Sequence, residues 1–114
     1  MTIPDDPAFG LTSSRVDGFT LVRVEGALDA TTRERFADGL AGSPGDLLLD
    51  LTGVTFMDSR ALGLIVHRWQ TNVAAGNRFA LVGVRYSTAK VMWITGLAER
   101  LPMFDDLETA LASA

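Results

Sequence analysis

The chain has 114 residues, is 47% hydrophobic, carries a formal net charge of -4 and contains no cysteine. That length and apolar content suit one compact domain with one core, and are too apolar for a disordered chain. The missing cysteine excludes disulfides, thiolate metal sites and a cysteine nucleophile. The ten Lys and Arg are scattered rather than gathered into a basic face, so nucleic acid is not expected as a direct partner.

Residues 1–8 hold two prolines and two aspartates and read as a loose tail, with residues 9–114 as one domain. Met1 leads into Ile3, Pro4, Asp5 and Asp6, so no secretory leader is expected there. No run approaches the roughly 20 apolar residues that a membrane-spanning helix needs, so no membrane insertion is expected.

A first strand is expected over residues 9–16. Asp17-Gly18 is a hairpin signal, and residues 20–25 read as the second strand. Gly26 is expected to end it. Residues 29–32 then open a helix, with Thr31 and Glu34 at capping-box spacing and with Phe36 and Leu40 facing the core. Gly42-Ser43-Pro44-Gly45 breaks the helix.

Residues 46–51 form a short apolar run, which reads as a central strand buried on both faces. Residues 52–57 are expected to form a loop. Asp58 or Ser59 then caps a long helix reaching about Ala75, stopped by Gly76-Asn77. Residues 79–82 read as a buried strand and residues 87–95 as a helix ending at Gly96. Residues 102–104 read as a last short strand and residues 105–114 as a terminal helix with acid in its first turn. Alternating strands and helices after an opening hairpin predict an α/β fold: a mixed sheet of four or five strands with four helices.

Unrolled at about 100° per residue, the second helix gathers Leu62, Ile65, Val66, Trp69 and Val73 on one side, expected to be the core face. Arg60, Leu64, His67 and Thr71 fall on the opposite side. Arg60 is therefore expected to face outward near the helix start, with Leu64 as an exposed apolar neighbour.

Signals for catalysis are sparse. His67 is the one histidine. No zinc-ligand spacing, Gly-x-Ser-x-Gly or phosphate-binding Gly-x-x-x-x-Gly-Lys occurs, so no enzyme, metal or cofactor is expected. The informative stretch is Asp50-Leu51-Thr52-Gly53-Val54-Thr55-Phe56-Met57-Asp58-Ser59-Arg60-Ala61-Leu62-Gly63. It carries a strand into a helix N-terminus, where free backbone N–H groups and the helix dipole favour a carboxylate or phosphate. Ordinary capping by Asp58 or Ser59 accounts for the same residues.

This stretch resembles the signature of STAS domains in bacterial anti-sigma factor antagonists: an Asp-Leu-Ser-Gly-Val-like strand and loop, then Asp-Ser-Ser/Thr-Gly-Leu-Gly at a helix start. Gly26-Ala27-Leu28-Asp29-Ala30-Thr31-Thr32 is similar to the family's Gly-Glu-Leu-Asp-x-x-Thr, and Thr95-Gly96-Leu97 is a weaker third match. The resemblance implies the STAS fold and a cytoplasmic signalling protein in transcription regulation. Its partner would be an anti-sigma factor of the serine-kinase type, which phosphorylates the antagonist at the helix start and so breaks the complex.

The chain departs from the pattern at the phosphoacceptor. Arg60 stands where the acceptor hydroxyl belongs and Ala61 where the glycine belongs, leaving Ser59 as the adjacent hydroxyl. The resemblance thus points to partner binding through Asp29, Thr31, Asp58, Ser59, Arg60 and Leu64, with phosphorylation either lost or moved to Ser59. Two other functions stay open on the sequence: a STAS structural subunit of a signalling assembly or transporter, and a small-ligand-sensing STAS module. The sequence leaves the oligomeric state open.

Overall fold

The computed structural model describes residues 9–113, so the tail expected over residues 1–8 lies outside the described residues. The elements are β1 (Gly10–Val16), β2 (Phe19–Leu28), α1 (Arg33–Ala41), β3 (Leu47–Met57), α2 (Ser59–Ala75), β4 (Phe79–Val82), α3 (Lys90–Ile94), a 3-10 turn (Leu97–Glu99), β5 (Met103–Phe104) and α4 (Leu107–Ser113). The strands form one five-stranded sheet in the order β1-β2-β3-β4-β5. β1 pairs antiparallel with β2, and each later neighbour pairs in parallel. The expected mixed α/β sheet with four helices is the observed one.

Asp17 and Gly18 both take positive φ, 50° and 85°, as the tight turn of a two-residue hairpin requires. Beyond that hairpin each parallel step needs a helical crossover. Helices α1, α2 and α3 supply these, and all three pack on one sheet face. There Phe36, Leu40, Ala61, Leu62, Ile65 and Met92 meet Val22, Val24, Leu47, Leu49 and Leu81. On the other face Ala110 of α4 packs with Phe19, Leu21, Leu48, Ala80 and Val82. Leu47, Leu48 and Leu49 are therefore fully buried in succession, as expected of a central strand covered on both sides.

Two expectations fail together at the next step along the chain. Gly26 does not end β2, and residues 52–57 are not a loop. β2 runs on to Leu28 and β3 to Met57, paired Glu25 with Gly53, Gly26 with Val54, Ala27 with Phe56 and Leu28 with Met57. The register shifts between Arg23 and Glu25, and again between Gly26 and Ala27. Gly26, buried at φ 94°, absorbs this irregularity, so a residue that reads as a strand stop serves as a bulge. The extension buries Val54 and Met57 and so gains apolar burial as well as pairing.

Corrections are also needed in the helices. α1 begins at Arg33, one residue later than the Thr31–Glu34 capping box requires, and that box does not form. α3 is shorter than expected and is followed by Gly96 at φ 78° and the 3-10 turn. In α2 the buried residues are Ala61, Leu62, Ile65 and Asn72, while Val73 is 65% exposed and Trp69 is half-buried at the edge of the core. The inward arc is thus turned by about 70° from the apolar stripe, toward Ala61, Arg68 and Asn72.

The cause of this turn is polar. Arg68 donates to the carbonyls of Leu40, Ser43 and Gly45, and its Nε donates to Asn72 Oδ1 at 2.8 Å. Asn72 Nδ2 donates to the carbonyls of Gly45 and Arg78 at 3.0 and 2.8 Å. These carbonyls lie at the end of α1 and in the loops before β3 and β4; those of Leu40 and Arg78 also accept the Ser43 and Leu47 amides, so α2 adds a second donor to each, whereas Ser43 and Gly45 find their donors in these two side chains.

Candidate functional site

The carboxyl ends of parallel strands are where open α/β sheets present loops and helix starts to a ligand. Here the ends of β2 and β3 are tied side by side. Leu28 pairs with Met57, and the Asp58 amide donates to the Leu28 carbonyl at 3.0 Å. The Asp29 loop and the start of α2 therefore emerge together, although 29 positions separate Asp29 from Asp58 in the chain.

Each half is held by local bonds. Asp58 is the α2 N-cap, and its Oδ1 accepts from the Ala61 amide at 2.9 Å. This satisfies one of the free donors of the first turn and spends one carboxylate oxygen on structure. Ser59 and Arg60 follow as the first two helical residues, both exposed. Neither of the two ion pairs among the described residues, Arg23–Asp50 and Arg78–Asp46, involves Arg60.

In the first loop Asp29 Oδ1 accepts from the Thr31 hydroxyl at 2.6 Å and from the Thr31 amide at 2.9 Å. The Thr31 hydroxyl bond, then the backbone bonds, hold the Asp29 carboxyl below its ordinary value near 3.8, so it is ionised near neutral pH. Thr32, the last residue of the Gly26–Thr32 motif and not among the expected contact residues, fixes the loop. Fully buried, it donates to the Ala27 carbonyl at 2.6 Å and accepts from the Asp29 amide at 3.1 Å.

Five of the six expected contact residues, Asp29, Thr31, Asp58, Ser59 and Arg60, thus gather at the paired ends of β2 and β3. Leu64 does not join them as an exposed apolar centre. It is half-buried, packed against the core, and borders a surface hollow with Ala37, Leu40 and Ala41 of α1. A neighbouring helix covers it, which a single-helix projection cannot show.

On the other side of the α2 start, toward β4, lies a cleft of about 410 Å3. Phe56, Met57 and Ser59 border it on one side, and Lys90, Val91 and Ile94 of α3 on the other. The sequence reading named none of these α3 residues. α3 is short and mostly apolar, so its pattern does not say which side chains face outward.

Among the described residues no group of three His, Cys, Asp or Glu side chains is placed to hold a metal ion. No helix there is long and apolar enough to cross a membrane.

Comparison with known proteins places this geometry. The profile of the STAS domain matches residues 11–110. An anti-sigma factor antagonist from Mycobacterium paratuberculosis is 25% identical, with a TM-score of 0.81 over 99% of this chain and 97% of that one. An anti-sigma-factor antagonist (STAS) domain protein from Planctomyces limnophilus superposes with a TM-score of 0.72 at 20% identity, covering 90% of this chain and 96% of that one. The Bacillus cell fate determinant SpoIIAA in its phosphorylated form superposes at 0.67 and 23% identity, covering 93% and 97%. With the match spanning nearly all of the described sheet and helices, the chain belongs to the STAS-domain family.

Proposed function

We propose that the chain is a diverged anti-sigma factor antagonist: a cytoplasmic, non-catalytic regulator, with residues 9–114 as its single domain, that binds an anti-sigma factor through the paired ends of β2 and β3. The observation that carries this reading is the hydrogen bond from the Asp58 amide to the Leu28 carbonyl, which sets the Asp29 loop beside the start of α2. Asp29, Thr31, Ser59 and Arg60 then form one polar surface, with Asp58 anchoring it from below. The likeness to an anti-sigma factor antagonist over almost the whole of both chains supports the same reading.

Phosphoregulation of the usual kind is absent in this proposal. Arg60 carries a fixed positive charge where the family's acceptor would gain a phosphate, so the local charge is reversed. The partner surface would then offer carboxylates to Arg60, and the complex would be constitutive. Ser59 is the remaining hydroxyl at this helix start, and a phosphate on it would lie beside the Arg60 guanidinium, which would partly mask its charge.

Affinity capture with the tagged chain from the cell of origin, followed by mass spectrometry, tests the reading. The expected catch is an anti-sigma factor with a kinase-like ATPase domain, retained by the wild type and lost with Arg60→Glu. Recovery of transporter or signalling-assembly subunits instead, or of an anti-sigma factor whose retention Arg60→Glu and Asp29→Ala leave unchanged, overturns it.

A further inference from the structure

The large apolar side chains that the described residues leave exposed are Phe56, Val73, Tyr86, Trp93 and Ile94. Single exposed apolar residues are ordinary on a protein surface, whereas clusters mark contact sites. Val73 stands alone near the far end of α2. Of the other four, Phe56 and Ile94 line the 410 Å3 cleft beside Ser59, and Tyr86 and Trp93 join it through Lys90. Ile94 is 80% exposed and Phe56 51%, and both line the cleft. Trp93 meets the Tyr86 ring edge-on at 5.4 Å between centroids, and the Lys90 ammonium lies 6.0 Å from the same ring. Met92, fully buried, fastens α3 to the core and so holds these outward side chains in place.

Charge narrows the choice of occupant. The one carboxylate bordering the cleft is Asp58, already bonded to the Ala61 amide. Lys90 borders the same cleft and takes part in neither ion pair of the described residues. Arg60, next to Ser59 but outside the cleft lining, also takes part in neither ion pair. In a chain of net charge -4, the cleft therefore presents one cation outside both of these ion pairs, Lys90, beside the apolar side chains of Phe56, Val91 and Ile94. An occupant that complements it has apolar side chains with a carboxylate beside them. The cleft is bordered along one side by a helix and lies open to solvent, which suits helix-in-groove recognition.

We propose that this cleft receives an acidic amphipathic helix of a partner protein, with apolar side chains seated between Phe56 and Ile94 and a carboxylate against Lys90. The inference rests on the binding role proposed above only for the identity of the partner. The cleft shares Asp58 and Ser59 with that surface, so one partner covers both. It extends the interface to α3, beyond the residues expected from sequence.

The test does not require that partner. Random peptides about four helical turns long are displayed on phage and selected on the immobilised full chain. Enriched peptides are expected to be amphipathic and acidic. Their affinity should fall about tenfold or more with Ile94→Ser and with Lys90→Glu. Changing the peptide's Glu to Lys should restore binding to the Lys90→Glu variant. Because Ile94 and Lys90 are exposed, both variants should melt as the wild type does.

No enrichment, basic peptides, or affinity indifferent to both substitutions overturns the proposal. So does a concentration-dependent dimer abolished by Ile94→Ser, which would assign the face to a second copy of the chain. Acidic peptides that bind here, together with a captured partner that is no anti-sigma factor, would reject the functional reading and leave the cleft standing. An anti-sigma factor captured equally by wild type, Ile94→Ser and Lys90→Glu would reject the cleft alone.

Discussion

Arg68 of α2 donates from Nη1 to the Leu40 carbonyl at the end of α1, 28 residues earlier, at 2.6 Å. With its bonds to Ser43 and Gly45 it joins α2 to the α1–β3 connection through one planar guanidinium. Burial disfavours this cation and lowers its pKa, and the three carbonyls compensate for part of the lost hydration. Arg68→Ala should therefore cost about 2–4 kcal/mol, because it takes the donor from the Ser43 carbonyl and from Asn72 Oδ1 and one of two donors from the Leu40 and Gly45 carbonyls. Arg68→Lys should recover only part of that, since an ammonium cannot reproduce the fork. Urea denaturation of both variants checks the ordering, and equal stability of wild type and Arg68→Ala would refute it.

The turned face of α2 makes a second prediction. Ile65 is fully buried, whereas Trp69 is half-buried and His67 exposed. Ile65→Ala should cost about 2–5 kcal/mol. Trp69→Ala should cost less than a fully buried tryptophan would, about 2 kcal/mol, and His67→Ala should stay within about 0.5 kcal/mol of the wild type. Equilibrium unfolding of the three variants measures this, and a Trp69→Ala loss above that of Ile65→Ala would contradict the observed face.

Capping at the α2 start should be separable from recognition. Asp58→Ala should destabilise by about 1 kcal/mol through loss of the Ala61 amide bond, and Asp58→Asn by much less. Ser59→Ala and Arg60→Ala remove exposed side chains and should change stability by about 0.5 kcal/mol or less. Thermal melts of the four variants decide whether Asp58 is the anchor of this surface.

Acid should weaken the fold through identifiable carboxylates. Asp46 accepts from the Arg78 amide at 2.7 Å and from Arg78 Nε at 2.9 Å, and these bonds hold its carboxyl below its ordinary value near 3.8. Its contribution is therefore fully present above the pKa of an unfolded aspartate and is lost as pH falls through the lower folded value. Stability should fall from about pH 5 downward, and Asp46→Asn should flatten that fall. The pair is partly exposed, so the effect should be modest and smaller at high salt. Denaturation midpoints between about pH 6 and pH 2.5 read it, and an unchanged slope in Asp46→Asn would disprove it.

For the phosphate switch, wild-type chain incubated with ATP and the kinase-type anti-sigma factor proposed above should gain no mass. Arg60→Ser with Ala61→Gly should gain one phosphoryl group. Intact-mass measurement decides the matter, and a stoichiometric adduct on the wild type that Ser59→Ala removes would show instead that Ser59 is the acceptor.

The order of elements and the ends of most of them were legible in the sequence, because local physics sets them. The Asp17-Gly18 turn needs positive φ, the run through Leu47–Leu49 is too apolar for an exposed strand, and Asp58 and Gly76 have the chemistry of a helix cap and a helix stop. Most of the candidate contact residues were legible too, since their motifs lie on either side of those signals. Only the tertiary structure decided the rest. Whether residues 52–57 are loop or strand depends on a pairing with residues 25–28, which lie far away in sequence. Leu64 packs against the core beside α1, and the inward face of α2 follows acceptor carbonyls in another part of the chain, so Arg68 and Asn72 turn in while Val73 turns out. Hydrophobic periodicity records what each residue is, but burial is decided by the unsatisfied groups and surfaces that the fold brings to it.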